Sequence, residues 1–412
     1  MPALQPTLDY LYGLQMFGMK LGLRNIRLLL RSTGNPQNSF PSVHVAGTNG
    51  KGSTSSMIAA VLSASGYRVG LYTSPHLIRF NERIRVNGAM ISNTDIVRLT
   101  NLLRATVDEL HATFFEATTA IAFKYFQRQK VDIAVIETGL GGRLDATNVL
   151  RPLVAVITTI GKDHTQQLGT TLGKIAFEKG GIIKRGIPCV VGAVPQAALL
   201  VLNRIAEGRR SRFIQARHSS AMNNVHLPLL GIHQRENFQT AIAALEELKR
   251  CGFHISKESI RRGISRLSQL TGIHGRLEIL SRSPLVILDV AHNPDGIKNA
   301  VATIQSLGFG KLHLVFGVMK DKDYRIMIRS LSALHPIVYA VQPHMERALE
   351  ANAIVYEFFQ RRCTGRAYAS VEDGLTAALK NSKAKEMVLV TGSHYVAGDA
   401  WKKWKKKERK NS

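Results

Sequence analysis

The chain has 412 residues, 45% hydrophobic and 20% charged, which excludes a disordered or fibrous protein and exceeds what one ordinary core serves. Lys and Arg outnumber Asp and Glu by 55 to 29, a net charge of +26; a nucleic-acid binder or an enzyme that gathers polyanions would show this, while the even spread of basic residues favours a generally basic surface. The three cysteines, Cys189, Cys251 and Cys363, form no paired motif, so neither a disulfide framework nor a thiolate zinc site is expected, and a cytoplasmic protein is. No basic head precedes an apolar run in "MPALQPTLDYLYGLQMFGMK", and nowhere do 18 apolar residues run together, so no signal peptide or membrane span is expected.

From the N-terminus, short apolar runs alternate with amphipathic stretches, the rhythm of βαβ units. Strands are predicted at "SVHVAG", "RVGLYT", "VDIAVIET", "LVAVITTI" and "PCVVGAV". Helices are predicted at Ser53–Ser65, Asn93–Leu110 and Thr118–Gln129, with a buried-face helix in "HQRENFQTAIAALEELKRCG". The rhythm breaks at "SQLTGIHGRLEIL", read as a linker. A second series follows in "LVILDVAH", "KLHLVFGV", "PIVYAVQ" and "EMVLVTGS". The expected fold is α/β: a P-loop-type N-terminal ATPase domain with a mostly parallel sheet over 1–271, and a smaller Rossmann-like C-terminal α/β domain over 272–412. The closing "WKKWKKKERKNS" reads as a solvated helix end or an unstructured tail.

Three strand ends carry chemistry. In "VHVAGTNGKGS" a β-branched strand runs into Gly47, Gly50 and Gly52, with Lys51 and then Ser53 opening a helix. The pattern departs from G-x-x-x-x-G-K-[ST], because Gly52 intervenes before the hydroxyl and Val45 stands where the first glycine belongs. The physical needs of phosphate capture are still met: a curling backbone, a helix N-terminus and a mobile cation. A plain strand-to-helix turn with a solvated lysine is the competing reading. In "VIETGLGGRLDATNV", Glu137 ends an apolar strand at the edge where open α/β sheets bind ligands. Beside phosphates such a carboxylate would hold Mg²⁺; otherwise it caps the next turn. A third end, "VITTIGKDH", brings Asp163 and His164 to the same edge, where a surface histidine is the alternative to a ligand.

Taken together, "GTNGKGS", "TSPHLIRFNERIRVNG", "ETGLGGRLDATN", "DHTQQLG", "EKGGI", "HQRENFQTA", "HGRLE", "LDVAHNP", "GVMKDKD" and "VTGSHY" resemble, in order and over nearly the whole chain, the folylpolyglutamate synthase/dihydrofolate synthase branch of the Mur ligase superfamily. The resemblance implies an ATP-driven ligase that joins L-glutamate to dihydropteroate and extends reduced folates with γ-linked glutamates through an acyl phosphate. It implies that Asn49, Gly50, Lys51, Gly52 and Ser53 hold the ATP phosphates, with Asn237, Arg276 and Asp289 as further ATP contacts. It places one Mg²⁺ on Ser74 and Glu137 and a second on His164, and makes Lys51, His164 and Lys179 catalytic, Lys179 as the lysine that the family carbamylates. Gly22, Thr113, Phe114, Phe115, Glu116, Leu144, Asp145 and Ala146 match its pterin-contacting segments, and His292 and Asn293 would face the incoming glutamate. Phe115 would lie against a flat pterin or benzoyl ring, burial as plain core being the alternative.

Some residues depart from the family pattern. Gly180 stands where alanine is usual, His274 where proline precedes Gly-Arg, and "MKLGLRN" lacks an acidic residue before Leu-Gly-Leu, which weakens the assignment of Gly22. A peptidoglycan-type Mur ligase is the rival within the class; Gly52, "TSPHL" and the lack of an extra N-terminal domain for a UDP-sugar speak against it. A basic P-loop nucleic-acid-binding ATPase is the rival from another class, and no RNA-binding aromatic motif or helix-turn-helix pattern supports it. A monomer that binds neither nucleic acid nor membrane is expected.

Overall fold

The computed structural model describes residues 4–18, 22–219 and 225–411; Met19–Leu21, which begin the "MKLGLRN" stretch, lie outside them. The chain divides into two compact units, 1–228 with 235–273 and 229–234 with 274–412. The break therefore falls two residues after the expected 271/272, and the short segment Leu229–Gln234 belongs with the second unit.

The first unit is built on eight strands: β1 (Ser42–Ala46), β2 (Val69–Tyr72), β3 (Ile84–Val86), β4 (Ala89–Met90), β5 (Ile133–Glu137), β6 (Val154–Ile157), β7 (Cys189–Val191) and β8 (Phe213–Gln215). Their order is β4-β3-β2-β5-β1-β6-β7-β8. All neighbours are parallel except β2–β3 and β3–β4. Strands β1, β5 and β6 are buried along their whole length, which is why they read as continuous apolar runs, not as alternating ones. The chain leaves β1 toward β2 on one side while β6 lies on the other, so β1 marks the switch point where ligands enter such sheets.

Helices cover both faces through small residues. The helix Lys51–Ala64 is buried from Ser53 to Leu62, and helix Lys257–Ser265 crosses it at Gly263, where a Cβ would come within 2.7 Å of the Val61 Cα. Gly180 differs: a Cβ there would stand 2.7 Å from the Ile205 Cδ1, the tip of a flexible side chain on the helix Gln196–Gly208 that can turn aside to admit an alanine.

The second unit holds β9 (Glu278–Arg282), β10 (Leu285–Leu288), β11 (Leu312–Phe316), β12 (Ile337–Val341), β13 (Gly365–Tyr368) and β14 (Met387–Thr391). They run in the order β13-β12-β11-β14-β10-β9, parallel apart from β9. Two mostly parallel α/β sheets are thus present, as the alternation of apolar runs implies.

Two details differ from the sequence expectation: the helix predicted from Thr118 begins at Phe114, and the linker stretch begins inside the short helix Leu267–Thr271. Of the two readings of the basic tail, the helix end holds, since it continues the helix His394–Asn411. No helix among the described residues is long and apolar enough to cross a membrane.

Candidate active site

The loop after β1 is fastened on two sides. A Cβ on Gly47 would fall 1.9 Å from the Thr158 Oγ1, and one on Gly50, whose φ is +81°, would fall 2.2 Å from the Asn237 Oδ1. Only glycine admits both the approach and the left-handed turn. The Thr48 amide donates to the Thr159 carbonyl (2.8 Å), the Asn49 amide to the Thr159 Oγ1 (3.0 Å), and the Thr158 hydroxyl to the Asn49 carbonyl (2.6 Å). The end of β6 therefore shapes the loop. Sequence reasoning passed over Thr158 and Thr159, although paired hydroxyls closing a buried strand in "VITTI" are a legible signal.

Two lysines converge on this loop. The Lys51 Nζ donates to the carbonyls of Gly47 (3.1 Å) and Thr48 (3.2 Å), and the Lys179 Nζ, from the helix Leu172–Gly180, donates to the same Gly47 oxygen (2.8 Å). Lys179 is 4% exposed. Burial first, and then the Lys51 charge, push its pKa down to about 7 against the opposing pull of Asp163 and Asp145. An amine in this setting loses its proton near neutrality.

Glu137, the last residue of β5, pairs in register with Val45 of β1. Its buried carboxylate accepts the Ser74 amide at 3.2 Å, so Ser74 and Glu137 stand together beside the loop. His164 takes a left-handed conformation (φ +50°); its amide donates to the Asp163 Oδ1 at 2.9 Å and its ring is exposed. Strand β6 carries it to the same sheet edge. No three His, Cys, Asp or Glu side chains among the described residues form a ready-made metal cluster. A hydroxyl and a carboxylate nevertheless suit Mg²⁺, which prefers oxygen, takes few protein ligands and completes its shell with phosphate oxygens and water; the His164 imidazole is a less usual donor to it.

The segments expected to meet a pterin are shaped by capping. The Thr113 side chain accepts the Glu116 amide, and the Glu116 carboxylate accepts the Thr113 amide (2.8 Å) and hydroxyl (2.9 Å), a reciprocal box at the start of helix Phe114–Arg128. Phe114 stacks on Tyr12 (5.7 Å between centroids) with the Arg83 guanidinium over its face. Phe115 lies against Gly139, where a Cβ would approach its ring to 2.5 Å. Asp145 is buried and accepts the Leu140 amide (2.8 Å) and the amide and hydroxyl of Thr147, which in turn meets His44 at 2.7 Å. Burial raises the Asp145 pKa, and these hydrogen bonds oppose the rise. Leu144 is half-buried, Ala146 is buried, and Gly22 has φ +145° in open space.

In the second unit, the Asp289 carboxylate accepts the Leu277 and Ala291 amides, both at 3.2 Å. Burial raises its pKa and the Arg276 charge lowers it. Asn293 is buried and caps helix Pro294–Gln305 through the Gly296 amide (2.8 Å). His292 is half-buried, its ring 5.1 Å from that of His394.

Comparison with known proteins gives two family matches: the Mur ligase middle domain over residues 45–190 and the Mur ligase glutamate ligase domain over 275–394. The dihydrofolate synthase/folylpolyglutamate synthase of Bacillus subtilis (strain 168) is 36% identical over 435 residues, covering 98% of this chain and 99% of that one. The structure of E. coli FolC in complex with DHPP and ADP superposes with a TM-score of 0.89 at 29% identity, covering 98% of each chain. A bifunctional folylpolyglutamate synthase/dihydrofolate synthase with Mn, AMPPNP and L-glutamate bound gives a TM-score of 0.86 at 29% identity, over 96% of this chain and 97% of that one.

Proposed function

The chain belongs to the dihydrofolate synthase/folylpolyglutamate synthase family of Mur ligases, and from that premise we propose that it joins L-glutamate to dihydropteroate and adds further γ-linked glutamates to reduced folates, driven by ATP. The observation that carries the reading is the convergence of Lys51 and Lys179 on the Gly47 carbonyl, in a loop beside the Ser74–Glu137 pair.

A carboxylate repels nucleophiles and has no usable leaving group. Moving the γ-phosphoryl group from ATP to a carboxylate oxygen makes an acyl phosphate and releases ADP. The glutamate amine then attacks the carbonyl carbon, loses a proton, and inorganic phosphate departs. Positioning and charge neutralisation supply most of the acceleration. The helix N-terminus at Lys51–Ser53 cradles the phosphates, and Lys51 leaves its two carbonyls to follow the γ-phosphoryl charge. Asn237, Arg276 and Asp289 are assigned to the nucleotide, and His292 and Asn293 to the incoming glutamate. Phe115, Leu144 and Ala146 are assigned to the pterin, on turns that Thr113, Glu116 and Asp145 hold in shape, and Gly22 keeps the same assignment.

Mg²⁺ would be held by Ser74 and Glu137 at one site and by His164 at a second, and would supply screening of the phosphate charge. Lys179 suits carbamylation: its neutral amine adds to CO₂ and loses a proton, which replaces a buried cation by anionic oxygens that can orient His164. Three separate thiols and substrates made and used beside ATP favour a cytoplasmic location, and the same proposal takes the chain as a monomer that engages neither nucleic acid nor membrane.

The test is phosphate release from ATP. Release that requires both dihydropteroate and L-glutamate, and again both a reduced folate and L-glutamate, is the expected result. Release stimulated by RNA or DNA and indifferent to the pterin would overturn the reading.

A further inference from the structure

The turn that carries Arg276 is held in an uncommon shape. Gly275 has φ +67° and Leu277, a branched residue, has φ +51°, a conformation that L side chains adopt only when their surroundings impose it. Four hydrogen bonds impose it here. The Glu278 carboxylate accepts the Gly275 amide (2.8 Å) and meets the His274 Nδ1 (2.9 Å). The Leu277 amide reaches Asp289 (3.2 Å), and the Val290 amide reaches the Gly275 carbonyl (3.0 Å). Leu277 is itself buried in the core of this unit.

One side chain of this clamp comes from a remote part of the sequence. The Trp401 indole, on the helix His394–Asn411, meets the His274 imidazole edge to face, with ring centroids 4.8 Å apart and planes at 60°. The Trp401 Nε1 is buried with no hydrogen-bond partner, so the indole sits there at a cost that ring packing must offset. The Lys405 ammonium lies over the indole at 4.7 Å, and Lys403 and Lys406 stand 3.8 and 3.9 Å from the Glu372 carboxylate. His274 is one-third exposed, so beyond its single bond to Glu278 the indole is what restrains its ring.

We propose that Trp401 is a positioning residue for Arg276: by fixing His274 against Glu278 it sets the 274–277 turn and so the direction of the guanidinium. This rests on the reading of Arg276 as a nucleotide contact. The C-terminal helix is then a working part of nucleotide capture through one aromatic contact, not through its charge.

The experiment measures ADP affinity by calorimetry, and the KM values for ATP and for dihydropteroate, in the full chain. Trp401→Ala and His274→Ala are each expected to weaken ADP about three- to tenfold, the worth of one ring contact. Both should raise KM for ATP by a like factor and leave KM for dihydropteroate alone. Trp401→Phe, which keeps a ring against the imidazole, should stay within about twofold. Trp401→Ala added to Arg276→Ala should cost nothing more. Normal ADP affinity in Trp401→Ala and His274→Ala, beside weakened affinity in Arg276→Ala, would overturn the inference alone. Normal affinity in Arg276→Ala would remove the nucleotide reading, and the inference with it.

Discussion

Two ammonium groups that donate to one carbonyl oxygen, as Lys51 and Lys179 do at Gly47, repel each other, and the buried one is relieved by losing its proton. An unfolded lysine keeps its proton to about pH 10, whereas folded Lys179 keeps it only to about 7. Between those values the unfolded chain binds more protons, so this residue makes stability rise with pH, and its penalty is fully present below 7. In CO₂-free buffer, Lys179→Met is therefore expected to flatten the increase in urea stability between about pH 7 and about pH 9; an unchanged slope would mean the lysine is not buried as a cation. The neighbour enters the same balance. Lys51→Ala removes a nearby positive charge and raises the Lys179 pKa, so ¹³C-bicarbonate at neutral pH should give a weaker carbamate signal in this variant by NMR. Turnover should fall by about 10²–10³ with the fold intact, the loss typical for one charge-stabilising group. A carbamate signal equal to that of the parent would deny the coupling.

At the scale of elements, the start of the helix Phe114–Arg128 decides where two aromatic rings stand. Its reciprocal Thr113–Glu116 cap sets the first turn, and Phe114 and Phe115 ride on it against Tyr12 and Gly139. Thr113→Ala should cost about 1–2 kcal/mol, lowering Tm by about 2–4 °C. It should raise KM for dihydropteroate but not for ATP, while Thr113→Ser retains both. A raised KM with unchanged Tm would instead make Thr113 a direct substrate contact. This cap was legible as T-x-x-E, yet the predicted helix began at Thr118, because the apolar period is clearest there. The β3–β4 hairpin was missed although Asn87–Gly88, both with positive φ, spell the tight turn such hairpins use. Strands β8 and β13 escaped for a different reason. They are short edge strands, only partly buried, and leave little apolar pattern to read. The strand-end residues Lys51, Glu137 and His164 stood out because buried parallel strands end abruptly in glycine and polar residues. The contact of Trp401 with His274 left no local signal, since it joins the linker to the last helix.

For the molecule as a whole, the net charge of +26 is a long-range property, and its consequences depend on salt. Every proposed substrate is an anion, and each glutamate added to a folate brings another carboxylate. A basic surface therefore draws longer polyglutamates in faster than dihydropteroate, and lets them go more slowly. Screening should erase this difference, since the Debye length falls from about 30 Å at 0.01 M to about 8 Å at 0.15 M salt. Between about 20 and about 300 mM KCl, kcat/KM for a folate triglutamate should drop about tenfold, and for dihydropteroate about two- to threefold. At the low-salt end kcat with the triglutamate should itself be depressed, because the product carries more charge than the substrate and leaves late. Equal salt slopes for the two substrates would show that the basic surface takes no part in folate capture. Strong inhibition by short RNA at low salt, beside those equal slopes, would redirect the charge to a nucleic-acid partner.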